Sequence, residues 1–301
     1  MKFRDLALGI SVMALWGINF SFIKLGLKSL DPFVLAGLRF SLSALPLVFF
    51  IKRPAIHMGW MALYGVLFGV GLWGMAFLGI HFGLSAGLAA LVMQFHVFVT
   101  IFMAAVLLNE KLSRFNLISM AFALLGLLLV MGVTDGSMTV AGFLLVILAT
   151  VSRAGTNILV KKIRVQAQFS FVVWTSLFAP IPLFALAWLT QGPEVFVATW
   201  QAFDRDAVIS LLVQVYPTTL IGYWIWNSLM VKYPAATVAP LTLLVPIFGF
   251  LGSYLMFGET IDAHKTLAVV LILLAVVINM FGPRWQQARL KRRELSLSTP
   301  S

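Results

Sequence analysis

The sequence predicts an all-α integral membrane protein, with ten transmembrane helices in two inverted five-helix repeats. Three observations carry that expectation: an apolar composition, the count of span-length apolar runs with their loop charges, and an internal duplication. Hydrophobic residues make up 61% of the 301 residues and charged residues 10%, and the mean hydropathy is +1.01. So little polar surface cannot coat a soluble globule, whereas runs of about 20 apolar residues each suit a bilayer. A net charge of +11 does not indicate nucleic acid, because the basic residues stand singly between apolar runs and build no basic face. The chain has no cysteine, which excludes thiol catalysis, haem attachment and cysteine-based metal sites. No cofactor or metal site is expected. The first apolar run is too long for a cleavable leader and continues into a repeat unit, so it reads as a retained helix.

Taken in order, apolar runs place spans over Leu6–Leu27, Pro32–Ile51, Gly59–His81, Ser85–Leu107 and Phe115–Gly132. A charged turn at Asn109-Glu110-Lys111 separates the fourth from the fifth. The second set runs over Val140–Val160, Phe169–Leu189, Ala207–Val231, Ala235–Phe257 and Thr266–Phe281. Pro180 and Pro182 mark bends in the seventh span, Pro217 in the eighth, and Pro240 and Pro246 in the ninth. Gly79, Gly83 and Gly87, at four-residue spacing, predict close helix approach.

Loop charge supports this count. Lys52, Arg53, Lys111, Arg114, Lys161, Lys162 and Arg164 fall in loops on the side of the N-terminus, against Lys24, Lys28, Arg205 and Lys265 on the other. Short cytoplasmic loops are enriched in Lys and Arg, so both termini are expected in the cytoplasm. One miscounted helix would scramble that bias.

The duplication appears when Ser85-Ala86-Gly87 is set against Pro234-Ala235-Ala236, which brings Glu110 onto Glu259 and Leu112 onto Ile261. Earlier in each half, Gly17-Ile18-Asn19 matches Gly155-Thr156-Asn157, and Lys24 matches Lys162. Five spans per copy is an odd number, so the second copy enters the membrane from the opposite side. The expected units are residues 1–134, residues 135–282, and a basic cytoplasmic tail over 283–301 that reads as disordered and membrane-attracted. Such paired halves place a binding site at their interface.

Leu15-Trp16-Gly17-Ile18-Asn19-Phe20, Leu35-Ala36-Gly37-Leu38-Arg39-Phe40, Ala86-Gly87-Leu88-Ala89 and Leu244-Val245-Pro246-Ile247-Phe248-Gly249, with the Glu110 and Glu259 turns, form an ordered pattern over nearly the whole chain. It resembles the EamA-type branch of the drug/metabolite transporter superfamily, and within it the bacterial exporters of cysteine-pathway metabolites such as O-acetylserine and cysteine. The resemblance implies efflux of small amino-acid metabolites across the inner membrane by alternating access. A multidrug or other small-metabolite exporter of the same superfamily is the alternative. Two positions depart from the pattern of those exporters: His96, where a Gln occurs, and Arg153, where a Trp does.

Ionisable groups inside a bilayer are costly and are functional candidates by default. Arg39 lies about seven residues into its span and either ties to carbonyls of the first helix or pairs with a substrate carboxylate. Arg153 either snorkels to the cytoplasmic face or lines a cavity with Asn157, four residues on. Gln94 and His96 sit near the centre of the fourth span, but two residues apart on an α-helix they point about 200° apart. They can share a cavity only if the helix unwinds. His96 is either a hydrogen-bonded packing residue or, as the one obvious mid-membrane group titrating near neutrality, the route for proton coupling. In the eighth span Tyr216, Thr219, Tyr223 and Asn227 follow three- and four-residue spacing beside Trp226 and predict a polar face. Trp16 and Asn19 share a face of the first. The expected substrate-binding set is therefore Trp16, Asn19, Arg39, Gln94, His96, Asn157, Tyr216 and Tyr223. Glu110 and Glu259 read as turn residues at opposite membrane faces. A membrane enzyme, the remote alternative, needs a nucleophile with its base, paired carboxylates or a metal cluster, and the spans contain none. A channel lacks a ring-forming charged or carbonyl motif.

Overall fold

The computed structural model describes the backbone of residues 1–298 apart from 108, 110, 111, 134, 164–166, 234–237, 239, 240 and 243. Side chains are described except, in addition, at 161, 168, 227, 230, 231 and 283–298. Among these described residues nine helices are long and apolar enough to cross a membrane. They are Phe3–Gly26, Pro32–Phe49, Met58–His81, Ala86–Leu107, Arg114–Met131, Val140–Val160, Phe169–Gln191, Arg205–Trp226 and Ala263–Gly282. The shorter apolar helix Leu244–Phe257 is the ninth span in chain order, and its expected start at Ala235 lies outside the described residues, as do Glu110, Lys111, Arg164 and Pro240. The protein is an all-α, ten-span membrane bundle of two inverted five-helix repeats.

Contacts between span ends fix which ends share a face. At the N-terminal face Lys232 Nζ, past the eighth span, sits 2.7 Å from Asp5 Oδ2, and Trp174 Nε1 of the seventh donates to Ile51 O at 2.9 Å. At the opposite face Lys24 Nζ meets Glu259 Oε1 at 2.6 Å, Ser29 Oγ donates to Asp204 Oδ2 at 2.7 Å, and Ser85 N donates to Ser137 O at 2.8 Å. Odd spans therefore start at the N-terminal face and even spans end there. The second span starts cleanly because Pro32 occupies a position whose N–H would be orphaned, and Asp31 accepts from Phe33 N and Val34 N.

Small residues let the first, fourth and ninth spans approach closely. A Cβ on Gly17 would lie 2.5 Å from Val245 O and 2.6 Å from Phe248 Cβ, and one on Gly249 would lie 2.5 Å from Ala90 Cβ. With no hydrophobic gain between helices in lipid, this close packing is what associates them. Gly79 and Gly87 approach other helices, but Gly83 has φ +101° and sits in the turn between the third and fourth spans, so the three glycines do not form one packing face.

Several elements depart from ten plain helices. The fourth span is broken between Met93 and His96, with Ala86–Met93 and His96–Leu107 as separate helices. The seventh divides into Gln168–Ser176 and Pro180–Gln191, as Pro180 and Pro182 suggest. The third and eighth contain π-helical stretches at Leu67–Gly74 and Gln214–Ile221, the latter around Pro217. Finally, the last helix runs over Ala263–Ser298, so the segment expected to be disordered has helical backbone, and a short helix at Glu194–Ala202 joins the seventh and eighth spans.

Candidate substrate cavity

A cavity of about 330 Å³ lies between the two halves. Of the eight residues singled out from sequence, Trp16, Asn19, Arg39, Gln94, His96, Asn157 and Tyr223 line it, and so does Arg153. Asn19 and Asn157, matched by the internal duplication, thus reach one chamber from the two halves.

Gln94 and His96 share the cavity because the helix between them is not α. Gln94 N donates to Leu91 O and Phe95 N to Val92 O, both at 3.0 Å, bonds one residue shorter than the α pattern. The His96 ring stabilises the break by donating from Nδ1 to Met93 O at 2.7 Å, so in the neutral imidazole Nε2 is the acceptor. Gln94 Nε2 donates to Thr242 O at 2.8 Å, which orients the amide and leaves Oε1 as its acceptor. Asn157 Nδ2 donates to Thr100 Oγ1 at 3.1 Å, tying the sixth span to the fourth beside the break.

Arg39 is buried, with 1% exposure. Its Nη2 donates to Thr219 Oγ1 at 3.3 Å, and that hydroxyl in turn donates to Gln214 O at 2.7 Å. The guanidinium lies 4.2 Å from the Trp73 ring centroid, a cation–π contact that holds the plane. Nε and Nη1 of Arg39 are buried without a hydrogen-bond partner, as are both amide atoms of Asn19, Nε1 of Trp73 and Oγ1 of Thr218. All four side chains line the cavity. Buried polar atoms are normally paired, and each left unpaired costs about 1–3 kcal/mol. The cluster, weighted toward donors, marks these four side chains as a candidate site for an acceptor.

Much of the lining is aromatic. Trp16 Nε1 donates to Thr218 O at 3.1 Å, and its ring centroid lies 5.2 Å from Tyr223 and 5.5 Å from Trp226. Tyr216 is the correction: it is 50% exposed and does not join the lining. Its expected face assumed an unbroken α-period, and the π stretch Gln214–Ile221 adds about one residue per turn, so positions seven apart no longer coincide. The Asn227 side chain lies outside the described residues. Sequence reasoning missed Tyr64, Trp73, Phe171 and Thr242, which also line the cavity. Trp73 alone carried a signal, a large aromatic between Gly71 and Gly74 at mid-span.

Comparison with known proteins agrees with this architecture. The EamA-like transporter family model matches residues 5–132 and again residues 140–281. The chain belongs to the EamA-like transporter family. A protein of Escherichia coli (strain K12) named "Probable amino-acid metabolite efflux pump" is 35% identical over 294 residues, covering 96% of this chain and 98% of its own. A protein of the same name from Salmonella typhimurium is 36% identical over 290 residues, covering 94% and 97%. A solved crystal structure superimposes with a TM-score of 0.59 at 18% identity over 93% of this chain and 96% of its own, a likeness of fold.

In this EamA-like transporter the cavity reaches toward the N-terminal face, where Asn157, Val160, Phe171 and Trp226 line it near the ends of their spans. Toward the opposite face the bundle is filled by buried side chains such as Ile23, Phe77 and Leu84, beside two ion pairs, Lys24 with Glu259 at 2.6 Å and Lys265 with Asp135 at 2.5 Å. A second hollow beyond that packing is lined by these same four charged residues with Ser85 and Ser137.

Proposed function

We propose that this transporter exports small amino-acid metabolites of the cysteine and O-acetylserine kind across the bacterial inner membrane. It does so by alternating access between the halves 1–134 and 135–282, with both termini cytoplasmic. One observation carries the reading: the buried Arg39 guanidinium borders the central cavity with Nε and Nη1 unpartnered. Arg offers carboxylates a planar fork of two charge-assisted bonds, and Trp73 Nε1 and Asn19 Nδ2 supply further donors nearby. The amino end of the cargo rests against Gln94 Oε1 and the ring faces of Trp16 and Tyr223, since no Asp or Glu lines the cavity among the described residues. With the cavity reaching the cytoplasmic face and the far end shut, the cargo loads from the cytoplasm. Breaking the two outer ion pairs while the N-terminal face closes then releases it. Proton coupling, where present, runs through His96.

The test is efflux of labelled amino-acid metabolites from cells expressing the parent, Arg39→Gln, Gln94→Ala and Tyr223→Ala at equal membrane levels. Loss of saturable efflux in Arg39→Gln and weakened apparent affinity in the other two are expected. Unchanged efflux in all three removes these residues from the mechanism, and transport only of carboxylate-free cations by the parent favours a multidrug-type exporter instead.

A further inference from the structure

Two arginines border this one small chamber and no carboxylate does, among the described residues. Arg39 enters from the second span and Arg153 from the sixth, so the two charges come from different halves. Apart from a ring contact with Phe68, 6.0 Å from the guanidinium carbon, the Arg153 guanidinium has no hydrogen-bond or ion-pair partner among the described residues. It is partly buried and points at the same space as the aromatic wall. The acidic residues whose side chains are described are all committed elsewhere or lie at span ends. Asp5 meets Lys232, Glu259 meets Lys24 and Asp135 meets Lys265, while Asp31 and Asp204 cap helices. Among the described residues no carboxylate balances the second arginine.

A zwitterionic cargo changes this balance by nothing. Its carboxylate satisfies Arg39, but its ammonium brings a third positive charge into a low-dielectric site that already holds two. An uncompensated charge there is what a bilayer interior penalises most heavily. A cargo with one carboxylate more than a simple amino acid resolves all the groups at once. Its α-carboxylate takes the Arg39 fork, its ammonium takes Gln94 Oε1 with the Trp16 and Tyr223 faces, and its side-chain carboxylate takes Arg153. The volume of about 330 Å³ sits at the small end of ligand cavities, matching a molecule of that size.

We infer that, among small amino-acid metabolites, the cargo preferred over neutral zwitterions of the cysteine and O-acetylserine kind is an acidic one of net charge −1, bearing a second carboxylate that Arg153 selects. The inference rests on the proposed carboxylate site at Arg39 and deepens it by assigning the second arginine. Arg153 is then a specificity-determining residue, and its removal should change which cargo is chosen more than whether cargo moves.

The experiment uses matched pairs that differ only in that charge: L-glutamate against L-glutamine, and L-aspartate against L-asparagine. The full chain is reconstituted in liposomes preloaded with a labelled amino-acid metabolite found to be transported. Each unlabelled compound is tested for competition at pH 7. In the parent the acid of each pair is expected to compete at least tenfold better than its amide. Arg153→Gln should bring that ratio to about one, its folding checked by the same thermal midpoint in detergent as the parent, and Arg153→Lys should restore part of the preference. Arg39→Gln should weaken acid and amide alike. A parental ratio of one or below overturns the inference while leaving amino-acid export standing, and so does a preference that survives Arg153→Gln. Failure of all four compounds to compete, with inhibition by carboxylate-free cations, overturns the proposed function itself.

Discussion

Cutting the ion pair between Lys24 and Glu259 should open the far end of the cavity, and the size of that effect follows from its environment. The lysine side chain is 33% exposed and the glutamate 12%, at 2.6 Å. Fully exposed pairs contribute about 0.2–1 kcal/mol, whereas removing one partner of a fully buried pair costs about 3–5 kcal/mol. A pair between those limits contributes about 1–2 kcal/mol to the closed arrangement, so Lys24→Gln should raise the population open to the far side about 5- to 30-fold. The chain contains no cysteine, so one reporter thiol suffices. Leu72 lines the cavity and is 2% exposed, and Leu72→Cys can be labelled from outside the cell with a membrane-impermeant maleimide. Labelling should accelerate by that factor in Lys24→Gln and in Glu259→Gln, and return toward the parental rate when the two charges are exchanged. Parental rates in both single variants would refute the idea that this pair helps hold the face shut. The second pair sets the pH behaviour. Burial works to raise the Asp135 carboxyl, but hydrogen bonds from Lys265 and Ser137 prevail and hold it at about 2, below its ordinary 3.8. A lowered carboxyl contributes stability that is full above its unfolded value and is lost as pH falls through its folded one. Glu259 is likewise lowered, burial being outweighed by its bond from Lys24. Both carboxylates therefore stay charged from pH 5 to 8, and parental labelling should be flat with external pH across that range.

Three further outcomes are expected. Gly17→Val places a Cβ 2.5 Å from Val245 O and should cost about 1–3 kcal/mol by overpacking, seen as a lower thermal midpoint in detergent. By contrast Gly155→Ala, whose Cβ would meet only Leu67 Cδ1 at 3.8 Å, should leave the midpoint near the parental one. His96→Gln should keep saturable efflux and change only its dependence on pH, because His96 is the one imidazole that lines the cavity among the described residues. An unaltered profile would assign any proton coupling elsewhere. Reporter fusions after Asn109 and at the C-terminus should read cytoplasmic and one near Gly192 periplasmic, and agreement between the Asn109 and Gly192 reporters would refute the proposed orientation.

The count of spans was legible because it depends on length and hydropathy alone, and the bilayer imposes both regardless of how helices pack. The duplication was legible for a related reason: Asn19 and Asn157 keep equivalent places in two copies of one unit, and the structure brings both to the same chamber. Facing was harder, since it assumes a helix period that holds throughout. At Tyr216 the period failed, and the π stretch beside Pro217 turned the ring out. At Gln94 and His96 it failed the other way, bringing together two side chains that an α-helix would have kept apart. Nothing local announced that second break, for Gln94-Phe95 contains neither Gly nor Pro. It is held by one partner remote in sequence, Thr242 O beneath the Gln94 amide, and one three residues away, Met93 O beneath the His96 ring. Backbone freed from its ladder at membrane depth is tolerated only where protein or a water-filled cavity satisfies it. The places where periodic reading fails in such a chain are thus the places where a cavity can be lined, and both failures border this one. Arg39 was legible as a candidate from its cost in lipid, but its role turned on which of its nitrogens the bundle satisfies. Thr219 takes Nη2 and leaves Nε and Nη1 buried without a partner, a division that arises only once the eighth span is bent.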